Sequence, residues 1–268
     1  YLMAASVFES QHLGKLFATA DLGRLFTDSA EMRAMLLIEG ALAKVQGELG
    51  VIPPESGAFL HRAAMEIQID PAALAEATSL NGVPVPALVA AARKALEAPE
   101  HSQFLHWGAT SQDIQDTALM LRLKQAVSLL KADLINYLKL ATELSDKYQL
   151  TCMSGRTWGQ HATPTSFGAI AASWGWPLLT LLGEIEAMHA TAFPVSLSGA
   201  AGTSSALGPQ AAETRSALAK ALGLHDPAHS WHSDRTPITR LAAWLTRLTN
   251  ALAKMAKDVE QLNMSGIG

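Results

Sequence analysis

At 268 residues the chain has room for one large domain or two moderate ones. Its residues are 49% hydrophobic and 16% charged, against roughly 25% charged in an ordinary soluble protein, and its net charge is −4. These values exclude a disordered chain and a polycation that tracks nucleic acid, and the apolar excess predicts a subunit whose helices are covered in an oligomer.

Ala, Leu, Met and Lys dominate and alternating β-branched runs are missing, so helix is expected nearly everywhere and strand almost nowhere. In the first third, Asp28 with Glu31 predicts the start of a helix that runs to Gly50, where Pro53 and Pro54 forbid continuation. Asp70 before Pro71 begins another short helix. Asn81-Gly82-Val83-Pro84-Val85-Pro86 is expected as a loop, and a further helix ends near Pro99. Residues 109 to 154 contain neither Gly nor Pro, which predicts one helix of about 39 residues and nearly 60 Å. Pro164 is expected to open a helix to about Ala192, kinked at Pro177. A second long helix, with Thr236 as cap and Pro237 in its first turn, carries Ile238, Leu241, Leu245, Leu248, Leu252, Met255, Val259 and Leu262. That 3.5-residue repeat is the seam of a helix packed along others, and helices this long predict a rod-like bundle.

The single cysteine, Cys152, cannot form an internal disulfide; it fits a reducing cytoplasm and is expected as a buried, inert thiol. No apolar run of about 18 residues and no export signal at the first residues are present, so the expectation is a cytoplasmic protein with no membrane partner. The start at Tyr1 and the loop-like Ser265-Gly266-Ile267-Gly268 suggest incomplete ends.

Three polar loops punctuate the helices. In His106-Trp107-Gly108-Ala109-Thr110-Ser111-Gln112-Asp113-Ile114-Gln115-Asp116-Thr117, hydroxyls stand where a helix begins, beside its free amide donors. The plain alternative is that Thr110 or Ser111 merely caps the helix and His106 is structural. The second loop, Gly155-Arg156-Thr157-Trp158-Gly159-Gln160-His161-Ala162-Thr163-Pro164, groups a guanidinium, hydroxyls, an amide and an imidazole. A third, Ser196-Leu197-Ser198-Gly199-Ala200-Ala201-Gly202-Thr203-Ser204-Ser205, follows the kinked helix. Successive loops of an antiparallel bundle lie at opposite ends, so the first two clusters should meet only through neighbouring subunits.

The first segment resembles the H-x-G-x-T-S-x-D-x-x-D-T signature of the fumarase/aspartase superfamily, and the second its R-T-x-x-Q-x-A-x-P signature. The Gly-Ala-Thr-Ser-Gln-Asp wording, Trp158, and Trp231-His232-Ser233-Asp234-Arg235 look most like the carboxymuconate cycloisomerase branch. The resemblance implies an all-α fold, with a helical N-terminal domain over residues 1–105 and a long central helix bundle over 106–268. It also implies a homotetramer with active sites assembled from three subunits, and a small tricarboxylate substrate that undergoes reversible addition of a carboxylate across a double bond. Neither a metal nor an organic cofactor is implied. A third superfamily signature, Gly-Ser-Ser-x-Met-Pro-x-Lys-x-Asn-Pro, does not occur; the C-terminal part is expected to be missing, and these residues alone are expected to be poorly active.

Such a reaction must bind several carboxylates and move a proton. Arg156 and Arg235 suit carboxylates because the guanidinium fork is planar and permanently charged, although Arg235 can equally form a surface ion pair with Asp234. Thr110, Ser111, Gln112, Thr157, Trp158, Gln160 and Thr203 complete the expected substrate contacts. His106 matches the family position that acts as acid or base; His161 is a second candidate with an equally available structural role. Where related lyases carry His in R-T-H-G-Q, Trp158 cannot exchange protons, which speaks against argininosuccinate or adenylosuccinate lyase chemistry. Rival readings are another lyase of the same superfamily such as adenylosuccinate lyase, a di-iron bundle, from the E-x-x-H spacings Glu186/His189 and Glu9/His12, a zinc site at His225, His229 and His232, and a non-catalytic scaffold.

Overall fold

The structure, a computed structural model, describes residues 6–8, 10–17 and 20–265. Glu9, one half of the second E-x-x-H spacing, lies outside them. The chain divides into two compact units, Tyr1–Leu129 with Phe193–Asp234, and Leu130–Ala192 with Arg235–Gly268.

The first unit is built on α3 (Asp28–Glu48), after the short turns α1 (Gly14–Phe17) and α2 (Ala20–Gly23). Thr27, rather than Asp28, is the cap: its hydroxyl accepts from Ala30 N at 3.2 Å, while Asp28 and Glu31 favour the positive end of the helix. Small residues then let α4 (Pro54–Glu66) lie antiparallel against α3 almost backbone to backbone. A Cβ on Gly57 would stand 2.6 Å from Ala43 O and 2.9 Å from Gly47 Cα. Arg33 closes the far end, donating to Ala64 O at 2.7 Å and Met65 O at 2.8 Å, the carbonyls that α4 leaves unpaired.

Asp70 caps a 3₁₀ turn at Pro71–Leu74 through Ala72 N, and α5 (Ala75–Asn81) ends at Gly82, in the left-handed conformation with φ 73°. The expected loop is shorter than its Pro residues suggested, because α6 (Val85–Leu96) takes Pro86 into its first turn, where a missing N–H costs nothing. After α7 (Pro99–Ser102) comes α8 (Ser111–Lys147), a helix of 37 residues, about 55 Å at 1.5 Å per residue. Its residues up to Leu129 belong to the first unit and the rest to the second.

The units do not follow the expected division at residue 105. The segment 193–234 packs with the N-terminal helices: Ala41 and Leu42 of α3 share one core with Val195, Leu197, Leu207, and Leu218 of α10 (Ala211–Leu222). Lys124 adds a hydrogen bond to Gly223 O.

In the second unit the expectation of helix throughout fails once. Cys152–Thr157 (β1) and Gln160–Ser166 (β2) form an antiparallel hairpin, paired from Cys152↔Ser166 to Thr157↔Gln160, with an irregularity between Ser154 and Arg156. Pro164 is therefore a strand residue, and α9 (Phe167–Met188) begins later than expected, capped by the Ser166 hydroxyl. The start of α9 closes tightly on the end of α8, since a Cβ on Gly168 would lie 2.5 Å from Ser145 O. Cys152 is exposed at the root rather than buried. The helix continues through Pro177 and packs on α11 (Thr236–Leu262). Trp244 is buried there and donates to Leu181 O at 2.9 Å; Trp174 donates to Asp258 at 2.7 Å. The seam is only partly covered within this unit: Leu241 and Leu248 are buried, Val259 is exposed, and so are Tyr137, Leu140, Trp176 and Leu179. Among the described residues no helix is long and apolar enough to cross a membrane.

Candidate active site

The expected site residues fall into two sets, one in each unit. In the first unit, α8 opens with a reciprocal cap: Asp113 N donates to Thr110 O at 3.0 Å, and Thr110 N to the Asp113 carboxylate at 3.1 Å. Asp113 is wholly buried and also fastens the other two polar segments of the unit. Its Oδ1 accepts from Ser196 Oγ and Ser198 N, both at 2.9 Å, and is 2.7 Å from His232 Nε2; its Oδ2 accepts from Gly199 N at 2.9 Å. One carboxylate thus gathers the start of α8, the Gly-rich loop and the Trp231-His232 segment. Thr117 repeats the device one turn on, donating to Ser196 O at 3.1 Å and accepting from Ser196 N at 2.9 Å. Trp231 completes the clasp through Val195 O at 2.9 Å.

The two loops touch closely enough to need glycine. Gly108 has φ 72°, and a Cβ there would stand 2.5 Å from Leu207 Cδ2. Gly199, with φ 68°, faces Gly108 O. Thr203 lies exposed in the same Gly-rich loop, and its hydroxyl donates to Ser205 Oγ at 3.1 Å. Ser111 stands half-buried at the helix start, as does Gln112, whose amide nitrogen is spent on His232 O at 2.8 Å and Asp116 at 3.2 Å.

His106 precedes this cap in a left-handed backbone conformation, φ 65°, uncommon for a residue with a side chain. Flanking carbonyls hold it there: Leu105 O accepts from Arg93 at 2.9 Å, and Trp107 O from Gln46 at 2.8 Å. The imidazole Nδ1 lies 2.6 Å from Oε1 of Glu39, a carboxylate only 1% exposed. Burial works against the charged ring, but the hydrogen bond and charge of Glu39, with the charge of Asp113, outweigh it and the opposing Arg93. His106 is held above the ordinary imidazole value.

In the second unit the hairpin carries Arg156, Thr157, Trp158, Gln160 and His161 in exposed positions. Trp158 and Gly159 form its two-residue turn with φ 51° and 75°, the paired positive values that a type I′ turn requires. Trp158 is 99% exposed. Arg156 donates to Gly159 O at 3.2 Å and stands 3.2 Å from His161 Nε2, so the ring is placed as a partner of the guanidinium. Arg156 also lines a cavity of about 240 Å³ with Ser154, Lys254 and Asp258. Arg235, not Thr236, occupies the cap position of α11.

Sequence reasoning missed Glu39 as the partner of His106, although a lone carboxylate inside Met35-Leu36-Leu37-Ile38-Glu39-Gly40-Ala41-Leu42 is the mark of a buried charge that needs a partner. It also left Asp113 without a role and offered His232 only as a zinc ligand. The rival zinc reading finds no such geometry, since His232 is turned to Asp113 and, among the described residues, no group of three potential ligands converges. Glu186 pairs with Lys131 at 2.9 Å.

Known proteins agree with the architecture. The 3-carboxy-cis,cis-muconate cycloisomerase of Pseudomonas aeruginosa is 33% identical over 254 residues, 94% of this chain and 55% of that protein. Nitrosuccinate lyase of Streptomyces davaonensis is 36% identical over 274 residues, 98% of this chain and 58% of that protein. The solved structure of the 3-carboxy-cis,cis-muconate lactonizing enzyme from Pseudomonas putida matches with a TM-score of 0.93 at 31% identity, covering 97% of this chain and 59% of that one. The chain therefore spans a little over half the length of these relatives. The protein family described as Lyase matches residues 18–268, and with that match and the shared all-α fold of the fumarase/aspartase type, the chain belongs to this lyase family.

Proposed function

We propose that this chain, extended over the full length of its relatives, closes 3-carboxy-cis,cis-muconate to 4-carboxymuconolactone. In that reaction a substrate carboxylate oxygen bonds to the carbon β to another carboxyl, the π electrons move to the α carbon as an enolate-like anion, and that carbon takes up a proton. The observation that carries the reading is the His106 imidazole held at Nδ1 by buried Glu39 beside the hydroxyl-rich start of α8, which leaves Nε2 for proton transfer. A positioned acid of this kind contributes roughly 10² to 10⁴ in rate.

Arg156 and Arg235 supply forks for substrate carboxylates, and Thr110, Ser111, Thr157, Gln160 and Thr203 supply neutral donors to the charge that develops. Trp158 stands where related lyases place a histidine, so His106 is the acid and His161 the partner of Arg156. The exposed apolar residues on α8, α9 and α11 support an oligomer, and the resemblance to the superfamily implies a homotetramer in which three subunits contribute to each site. A cytoplasmic location agrees with the single cysteine.

The identity to nitrosuccinate lyase favours one second reading, elimination from a substituted succinate. The discriminating experiment follows the diene absorbance of 3-carboxy-cis,cis-muconate with the extended protein. Rapid loss with lactone formation supports the cycloisomerase; an inert muconate beside consumption of nitrosuccinate selects the elimination.

A further inference from the structure

Glu39 is a buried carboxylate bonded directly to the ring of the proposed acid. Its Oε1 lies 2.6 Å from His106 Nδ1, while Oε2 is buried with no hydrogen-bond partner among the described residues. A carboxylate so placed gives up solvation on both oxygens and recovers one charge-assisted bond, which a merely structural residue at a helix interface would not require. The backbone that carries the ring is held as well. Arg93 and Gln46 grip the carbonyls on either side, and the backbone is held in the left-handed region. Gly108, two residues later, leaves room for Leu207 where a Cβ would stand 2.5 Å from its Cδ2.

We propose that Glu39 is a positioning residue which fixes His106 as the Nδ1–H tautomer, so that Nε2 alone exchanges protons with substrate. This rests on the reading of His106 as the acid. A carboxylate accepts and cannot donate when ionised, so the hydrogen between Nδ1 and Oε1 must reside on the ring. The alternative tautomer would set a lone pair on Nδ1 against a carboxylate lone pair at 2.6 Å. Burial works against the charged ring, and of the charged groups that face it, Glu39 from α3 and Asp113 from α8 outweigh that and Arg93 from α6, holding the ring above the ordinary imidazole value. Replacing Glu39 by Gln keeps the volume and removes the charge. Gln can accept from Nδ1–H through its oxygen or donate to Nδ1 through its nitrogen, so it no longer dictates the tautomer.

The test is nitrogen-15 NMR of the histidine rings in this chain, with His106→Gln to assign the signal. The expected result is a protonated Nδ1 and a bare Nε2 above the titration. In Glu39→Gln the midpoint should fall by about one pH unit or more, with tautomers mixed, and Glu39→Asp should lie between. An Nε2–H tautomer in the parent, or a Glu39→Gln midpoint equal to the parent's, overturns the proposal; should Glu39→Gln fail to fold, the parent's tautomer decides alone. In the extended enzyme, Glu39→Gln should lower kcat about 10²-fold with KM nearly unchanged, and move the pH profile with the NMR midpoint. The correct tautomer in a protein inert toward muconate would sink the proposed reaction and leave the role of Glu39 standing.

Discussion

Replacing Asp113 by alanine should cost about 4 kcal/mol of stability, because it removes the acceptor on which three segments converge. The figure follows from the donors left behind. Ser198 N, Gly199 N and Ser196 Oγ lie within a buried clasp, each 2.9 Å from a carboxylate oxygen that would be gone, and His232 Nε2 loses a partner at 2.7 Å. Each buried donor without an acceptor costs roughly 1 to 3 kcal/mol, reduced where water enters the space. Asparagine is no rescue. With its oxygen toward Ser196, Ser198 and His232, its NH₂ group meets the N–H groups of Gly199 and Thr110, so two bonds are lost and donors face donors; about 2 to 3 kcal/mol is expected. Urea unfolding gives the energies, and amide hydrogen exchange at Ser198 and Gly199 tells whether the loss is local to the clasp. An alanine variant within about 1 kcal/mol of the parent, with those amides still protected, would refute the reasoning.

Gly57→Ala should destabilise by about 2 to 3 kcal/mol, since the new Cβ would meet backbone atoms of α3 that cannot turn aside. Gly23→Ala, with helical φ and nothing within 4 Å, is the control and should be neutral or slightly stabilising in the same thermal melts. Because His106 titrates above its unfolded value, its stabilisation is complete below about pH 6.5 and is lost as pH rises through the folded value. The stability advantage of the parent over Glu39→Gln should therefore shrink as pH rises above about 6.5; calorimetric scans showing it grow would contradict the sign. Trp158→Ala should leave the melting of this chain within about 0.5 kcal/mol of the parent, because the ring is bare. The same change in the extended enzyme should cut turnover at least about tenfold if the hairpin tip meets substrate in a neighbour's site; unchanged turnover would remove Trp158 from the site.

The long helices were legible in the sequence because their information is local. The stretch without Gly or Pro from 109 to 154 and the 3.5-residue stripe from Ile238 to Leu262 specify α8 and α11 to within a few residues, whatever they pack against. The signature around Thr110 and Ser111 likewise marked the helix start that the structure caps with Thr110 and Asp113. The hairpin was not legible, because its strands, Cys152–Thr157 and Gln160–Ser166, are polar on both faces and turn on Trp158-Gly159 rather than a common turn pair. Nor could spacing along the chain reveal that Asp113 reaches Ser196 and His232, or that Glu39 reaches His106, since those partners stand 83, 119 and 67 positions apart. Periodicity reports which face of a helix is apolar. Only packing decides which buried carboxylate meets which donor, because a charge withdrawn from water must find its partner in space and not in sequence.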